Sequence, residues 1–274
     1  MPFHGAQLKT FALASLTIAA VCCGRTETSV DATTSTSTSS ATSRQATPKA
    51  SVPPKDREIY IDSVSSTNPL VVKGRARTFE NSVSLRVRDE NGKLITEGHV
   101  TSVGEMGHHN PFEATLWIVR DPGRRVTAEA FEYSARDGSV QSLTRKSVPY
   151  AVEMLSAKLM FPVGDCTNLR PFTRRLPKSI AMARLLSEAL VAGATDDEKA
   201  AGATSPFPEG SEVRSVILRG GEVTVDFNER LQNVGGSCAA LAIRQSVVQT
   251  LKQLPTVKQV RITAGGSEAL ALQP

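Results

Sequence analysis

The chain has 274 residues, of which 22% are charged and 5% aromatic, and its net charge is +5 at neutral pH. This length suits one large domain or two domains of ordinary size. Residues 58–153 carry 12 basic and 13 acidic side chains, and the residues after them carry 14 and 11. Neither part has the concentrated positive charge of a nucleic-acid-binding domain, so we expect no nucleic-acid partner.

The N-terminal segment predicts export from the cytoplasm. Residues 11–21 form an apolar run that follows Lys9 and precedes Cys22 and Cys23. A bilayer span needs about 20 residues, so this run fits the hydrophobic part of a secretory signal instead, and residues 1–23 are predicted to be a signal peptide. A cysteine directly after such a run resembles the lipobox of bacterial lipoproteins, which implies lipidation of Cys23 or Cys22. The alternative is a plain secretion signal. The protein is therefore expected outside the cytoplasm, either anchored in the membrane by lipid or secreted.

A linker is predicted next, at residues 24–57. Of the 33 residues from Arg25 to Arg57, 15 are Ser or Thr, and none is Leu, Ile, Phe, Tyr or Trp. Such a segment cannot bury enough apolar surface to offset the entropy lost on ordering, so we expect it to be disordered.

Residues 58–153 predict an all-β domain, because short β-rich runs alternate with turn residues. Val83, Leu85 and Val87 alternate with polar residues, which gives one buried and one solvated face. Asn91-Gly92 is expected to form a tight two-residue hairpin turn. Seven strands in a segment of this length are typical of an immunoglobulin-like sandwich. The predicted strands cover residues 59–64, 70–76, 83–88, 94–103, 112–119, 126–133 and 140–152.

The same residues resemble a known family. The segments NPLVVKGRARTFENSVSLRVRDENGKLI, FEATL and FEYSARDGSV are similar to the immunoglobulin-like domain that accompanies bacterial spore germination domains. The positions that carry this resemblance are Gly74, Ala76, Phe79, Glu80, Ser134, Asp137 and Gly138. The resemblance implies a binding or spacing unit without catalytic residues.

Residues 157–266 predict a second, α+β domain, because the apolar period changes from two to about 3.6 in two places. Gly193 is expected to stop the first helix, a capping box at Thr195 to open a second short one, and Ser237 to cap the long one. Gly220-Gly221 is expected to join a hairpin. The order is β-α-β-β-α-β, with two helices on one side of a mixed sheet. The predicted strands cover residues 159–163, 213–218, 223–227 and 257–263.

This second domain resembles the GerM domain of sporulation and spore germination proteins. The resemblance is carried by LRPFTRRLP, LLSEALVAGAT, SPFPEGSEVRSVILRGGEVTVDFNE and GGSCAALAIRQSVVQTLKQLPTVKQVRI. GerM domains resemble modules that build rings in secretion-like assemblies. The resemblance therefore implies protein contact, either with an envelope protein or through self-assembly.

Two cysteines in this domain, Cys166 and Cys238, are candidates for a disulfide, because the protein is predicted to be exported. The alternative is two separate buried thiols. Two cysteines this far apart in sequence are a poor metal signal.

The sequence contains no pattern that predicts catalysis. It lacks the nucleophile elbow, the P-loop, H-E-x-x-H and C-x-x-C, so no catalytic residue, metal ligand or cofactor site is predicted. The main hypothesis is a non-enzymatic, envelope-anchored binding or assembly module. The alternative is binding of glycan or peptidoglycan by an aromatic surface made of Trp117, Phe131 and Tyr133. A hydrolase, the third hypothesis, would need Asp226, Glu229 or His108 to converge, exposed to solvent, in one deep pocket.

Overall fold

The computed structural model describes residues 58–232 and 234–268. The predicted signal peptide, its lipidation candidates Cys22 and Cys23, and nearly all of the predicted linker lie outside the described residues.

The first domain is a sandwich of two antiparallel sheets. One sheet has the order β1-β2-β5 and the other the order β4-β3-β6-β7. Their strands are β1 (Ile59–Val64), β2 (Leu70–Ala76), β3 (Ser82–Arg88), β4 (Leu94–Thr101), β5 (Asn110–Leu116), β6 (Arg125–Tyr133) and β7 (Val140–Pro149). The seven predicted strands are confirmed, with ends that differ by a few residues. Alternate side chains of both sheets fill the core between them, as Val83, Leu85 and Val87 do from β3.

The turn between β3 and β4 differs from the prediction. Arg88 pairs with Leu94, which leaves a five-residue loop where a two-residue turn was expected. The side chain of Asp89 closes this loop, because its Oδ1 accepts hydrogen bonds from the backbone N–H groups of Asn91 at 3.0 Å and Lys93 at 2.8 Å. An acidic residue that bonds the backbone two residues ahead gives the chain an alternative to the tight turn.

The second domain is α+β, as predicted. Its described residues form two sheets and three α-helices, and the four-stranded sheet has the order β10-β11-β12-β13 with β11 and β12 parallel. Its elements are β8 (Met154–Val163), β9 (Asp165–Pro177), α1 (Met182–Val191), α2 (Asp196–Ala200), β10 (Val213–Arg219), β11 (Glu222–Phe227), α3 (Ser237–Leu251), β12 (Gln259–Ala264) and β13 (Ser267–Glu268). Leu159, Leu186 and Ile243 lie in one core that both sheets and the helices share.

Two strands of this domain were not predicted. The long strand β9 pairs with β8 to make a separate two-stranded sheet, and β13 adds a short edge to the larger sheet. The alternation of β9 is hard to see in the sequence because the residue that points inward beside Leu176 is Arg174, only 7% exposed.

The local predictions in this domain had mixed outcomes. Arg219 pairs with Glu222, and Gly220 and Gly221 have φ of 58° and 90°, so the two-residue hairpin turn is confirmed. The capping box at Thr195 is also confirmed. The prediction for Ser237 is wrong, because α3 begins there behind Gly236 and no side chain caps it.

The two domains pack against each other, and the described residues fall in a single compact unit. Val119, just after β5, lies in the core of the second domain. The buried Asn68 accepts a hydrogen bond from the Ile118 N–H at 3.0 Å and donates to the carbonyl oxygen of Pro177 at 3.4 Å. Contacts of this kind fix the relative position of the two domains.

We call the contact region between the two domains the joint. At its centre lies the buried side chain of Arg174. Its guanidinium is paired with the Glu198 carboxylate. It also donates to the carbonyl oxygens of Val119 at 3.5 Å, Ala189 at 3.4 Å and Gly193 at 3.0 Å. Because a buried guanidinium must have its donors satisfied, this network specifies how α1 and α2 approach the first domain.

Candidate functional site

A groove of about 560 Å³ lies between the two domains, and we call it the junction groove. The first domain contributes residues 94–99 of β4, the last two residues of β5 and Trp117, which follows β5. The second contributes α1, with Arg184 and Glu188, and residues 211–213. The groove therefore exists only because the joint holds the domains together.

Strands β4 and β5 come close together at the groove wall. β4 is an edge strand of its sheet and β5 is an edge strand of the other. A Cβ placed on Gly98 would lie 3.0 Å from the Cδ2 of Leu116, so a larger residue would require the Leu116 side chain to shift by a few tenths of an ångström. Glycine at this position therefore lets the Leu116 side chain pack closely against β4.

The half-buried ring of Trp117 is held by Arg184, whose guanidinium carbon lies 5.9 Å from the ring centroid. Arg184 is fixed in turn by its backbone partners, because it donates to the carbonyl oxygens of Val213 at 2.6 Å and Arg214 at 3.0 Å. A cation over an indole face is attracted by the ring quadrupole. The Trp117 ring is therefore an ordered part of the groove.

Glu188 is the carboxylate nearest to this pair. It accepts a hydrogen bond from Arg184 Nε at 2.9 Å, one turn away on α1. Burial raises the pKa of Glu188, and the neighbouring Glu212 adds to that effect, although Arg184 opposes it. Glu188 therefore holds a proton more readily than an exposed glutamate does. Its carboxyl group can donate a hydrogen bond when it is protonated and accept one when it is not.

Polar side chains from β4 border the groove. Glu97 accepts a hydrogen bond from the Tyr133 hydroxyl at 3.1 Å, and burial together with this bond raises the pKa of Tyr133. His99 follows on the same face of β4 and is exposed. Together with Glu188 and Glu212, these groups give the groove more carboxylates than cations.

The three aromatic residues predicted as one binding surface are divided by the structure. Trp117 lines the junction groove, whereas Phe131 and Tyr133 lie on β6, with ring centroids 5.0 Å apart. Tyr133 is 48% exposed, but Phe131 is fully buried, with the Arg86 guanidinium 4.1 Å from its ring centroid. The single three-ring surface does not form, because Trp117 follows β5, a strand of the other sheet, and Arg86 covers Phe131.

Arg86 belongs to a charge cluster on the outer face of this sheet. The carboxylate of Glu129, only 2% exposed, lies 2.7 Å from Arg145 Nε, 3.1 Å from Arg88 Nε and 3.3 Å from Arg86 Nε. Burial raises the pKa of Glu129, but the hydrogen bonds from Arg145 and Arg88 outweigh it, and the net result is a lowered pKa. The three arginines bind one carboxylate across three strands, which orders this face.

Cys166 and Cys238 form a disulfide, with sulfur atoms 2.03 Å apart. It joins the start of β9 to the first turn of α3. The bond therefore connects the tip of the two-stranded sheet to α3, the helix that packs mainly against that sheet.

The carboxylates considered for hydrolysis have structural partners. Asp226 accepts hydrogen bonds from the Thr263 hydroxyl at 2.7 Å and the Gly266 N–H at 2.9 Å. Arg214 lies 2.8 Å from Glu229 and 3.8 Å from Asp226. The two hydrogen bonds to Asp226 organise the turn between β12 and β13. Within the described residues, no three His, Cys, Asp or Glu side chains are placed to hold a metal ion.

None of the helices in the described part of the chain has the length and apolar character to cross a membrane.

Comparison with known proteins identifies both domains. Residues 158–270 match the family model Germane, described as sporulation and spore germination, and residues 60–139 match Gmad2, the immunoglobulin-like domain of bacterial spore germination. Comparison with curated protein sequences gave no match.

Three solved structures are similar to part of the chain. The first GerMN domain of the sporulation protein GerM from Bacillus subtilis is 26% identical, with 42% of this chain and 85% of that chain covered and a TM-score of 0.35. The tandem GerMN domains of the same protein are 26% identical over 42% of this chain and 41% of that chain, with a TM-score of 0.36. A putative lipoprotein from Clostridium perfringens is 13% identical over 42% and 76%, with a TM-score of 0.29. The two family matches cover both halves of the described fold in the predicted order. Residues 158–270 are therefore a sporulation and spore germination (Germane) domain, and residues 60–139 before them are an immunoglobulin-like domain of the bacterial spore germination type.

Proposed function

We propose that this protein is a non-enzymatic binding or assembly module of the cell envelope, located outside the cytoplasm and held there by an N-terminal lipid anchor. The observation that carries this proposal is the junction groove, which both domains build and which holds an ordered, half-buried tryptophan. Clefts at domain junctions with one aromatic anchor and a few converging polar groups are typical binding sites.

A segment of an envelope protein is the partner that suits the groove best. The wall formed by residues 94–99 belongs to the edge strand β4. An edge strand presents backbone N–H and C=O groups to an extended partner, and the Trp117 ring supplies an apolar contact next to it. The surplus of carboxylates favours a partner segment that carries lysine or arginine.

A photocrosslinking amino acid at position 99, in place of the exposed His99, tests this proposal in living cells. We expect crosslinks to a defined envelope protein, and we expect Trp117→Ala to abolish them. The matched control carries the same amino acid at Lys199, an exposed position outside the groove. Crosslinks that are equal from both positions, or that survive Trp117→Ala, would contradict a groove-specific partner.

Glycan binding is the second candidate function. It is favoured by the grouping of an aromatic ring with Glu97, His99 and Glu188, because sugars are bound by ring stacking together with hydrogen bonds from polar side chains. Co-sedimentation with purified cell-wall sacculi tests it directly. Binding that is lost in Trp117→Ala supports the glycan, whereas no binding, or binding indifferent to that change, removes this candidate.

A further inference from the structure

The second domain has an open sheet edge that the fold leaves unpaired. β12 pairs along its whole length with β11, but it pairs with β13 only at Thr263 and Ala264. Within residues 58–232 and 234–268, no strand lies against the remaining part of β12, from Gln259 to Ile262.

The hydrogen-bond pattern shows which backbone groups face this edge. The N–H groups of Gln259 and Gly265 donate to β11 residues or their flanks, at 3.1 Å to the Gly221 oxygen and 2.8 Å to the Phe227 oxygen. In a parallel pair, alternate residues direct both backbone groups to the same neighbour. The odd-numbered residues of β12 therefore bond to β11, and Val260 and Ile262 present their N–H and C=O groups to the open edge.

This edge forms one wall of a groove of about 630 Å³, and α3 forms the other. Arg244 and Val248 of α3 and Lys252, which caps its C-terminal end, face the groove, because a spacing of four residues places them on one side of the helix. From Arg244 to Lys252 the helix rises about 12 Å, which matches about four residues of extended strand. The groove therefore has room for one added strand of similar length.

The charge of this groove is positive. Arg244, Lys252, Lys258 and Arg261 line it together with only two carboxylates, Glu222 and Glu268. Arg261 is paired with Glu268, whereas no ion pair to a described residue is formed by Arg244, Lys252 or Lys258. Three cations therefore face the added strand without a partner of their own.

From these observations we propose that the β12–α3 groove binds an extended acidic segment of another protein, which adds to β12 as a further strand in line with β13. The exposed backbone groups of Val260 and Ile262 supply the ladder hydrogen bonds, and Val248 contacts the apolar side chains of the segment. The unpaired cations select carboxylates. This site is separate from the junction groove and does not depend on it.

The probe for a direct test is a fluorescent peptide of alternating Glu and Val, about six residues long to match the edge, compared with the same peptide carrying Lys in place of Glu. Fluorescence anisotropy with the full chain is expected to show that the acidic peptide binds and the basic peptide does not. Added salt is expected to weaken the binding. Lys252→Glu/Lys258→Glu is expected to reduce the affinity roughly tenfold or more. Arg136→Glu/Lys199→Glu, which changes the net charge equally at exposed positions outside the groove, is expected to bind like the parent chain.

Nuclear magnetic resonance signals of the β12 backbone amides show where the peptide binds. The acidic peptide should shift the N–H signals of Val260 and Ile262 more than that of Arg261, which is bonded to β11. Val260→Pro removes an N–H that faces the open edge and not β11, and it should abolish binding, while Val260→Thr should retain it.

Several results would overturn the proposal. These are equal binding of the basic peptide, no binding of the acidic peptide to the full chain, and binding without shifts in β12. Two further results assign the groove to another occupant and contradict the proposal equally. If a chain that ends at Glu268 binds the peptide and the full chain does not, residues 269–274 occupy the groove. If the β12 amide signals shift in the same way when the protein concentration is raised without peptide, a second copy of the chain occupies it.

Discussion

Substitution of the buried Arg174 by methionine should destabilise the protein more than any surface change. The substitution keeps an apolar chain of similar length but leaves the Glu198 carboxylate, whose side chain is 11% exposed, without its cation. Loss of one partner from a buried ion pair costs about 3–5 kcal/mol. The carbonyl oxygens of Val119, Ala189 and Gly193 lose donors in the same step. For a domain pair of this size the melting temperature should fall by about 6–20 °C.

The neighbouring residue provides a matched control. Arg175 is 65% exposed and lies 3.5 Å from Asp121, so Arg175→Met removes a surface ion pair that is worth about 0–1 kcal/mol. Urea unfolding followed by the fluorescence of Trp117, the single tryptophan, measures both variants. A second change, Glu198→Gln, removes the unpaired charge and should recover at least about 1 kcal/mol of the loss. If Arg174→Met is as mild as Arg175→Met, the buried network does not stabilise the joint and the reasoning fails.

Three further predictions follow from single contacts. Glu129→Gln should cost about 2–3 kcal/mol at neutral pH, because three arginines lose their carboxylate. The pKa of Glu129 is lowered in the folded state, so the parent chain loses this stabilisation as the pH falls through that pKa. Urea unfolding at a series of pH values should therefore show the unfolding free energies of the parent chain and the variant converging in acid. A difference that stays constant with pH would refute the assignment. Reduction of the disulfide, which joins residues 72 apart, should cost roughly 4 kcal/mol by the loop-entropy model, and Cys166→Ser/Cys238→Ser should unfold identically with and without reductant. Trp117→Ala should leave far-ultraviolet circular dichroism unchanged while it removes binding at the junction groove, and unaltered binding would exclude a role for the ring.

Much of the fold could be predicted because its signals are local. The strands of the first domain alternate apolar and polar residues, and Val83, Leu85 and Val87 identify their inner face without reference to any partner. Gly220-Gly221 and the capping box at Thr195 act within a few residues of chain. Patterns of this kind depend on backbone geometry alone, so a single sequence contains them.

The features that escaped prediction depend on distant partners. β9 was missed because Arg174 occupies an inward position, where the alternation rule expects an apolar residue. Only the carboxylate of Glu198 and carbonyl oxygens from two domains make that position tolerable. The turn at Asn91-Gly92 differed because the side chain of Asp89 competes for its backbone groups.

The candidate site could be predicted only in part. Trp117 and Tyr133 were singled out by residue type, and each does lie at or near the junction groove. Their arrangement was not predictable, because it depends on which sheet each strand joins and on the approach of α1 from the other domain. No sequence signal marks Arg184 or Glu188 as neighbours of Trp117.

The joint holds the two domains in one fixed arrangement and so maintains the junction groove. The most direct test is the distance distribution between nitroxide labels at Ser147 on β7 and Gln249 on α3, measured by pulsed electron resonance. Both positions are exposed and lie in different domains. We predict a single narrow distribution for the parent chain, which broadens in Arg174→Met. A broad or two-peaked distribution in the parent chain would contradict the fixed joint and, with it, the groove.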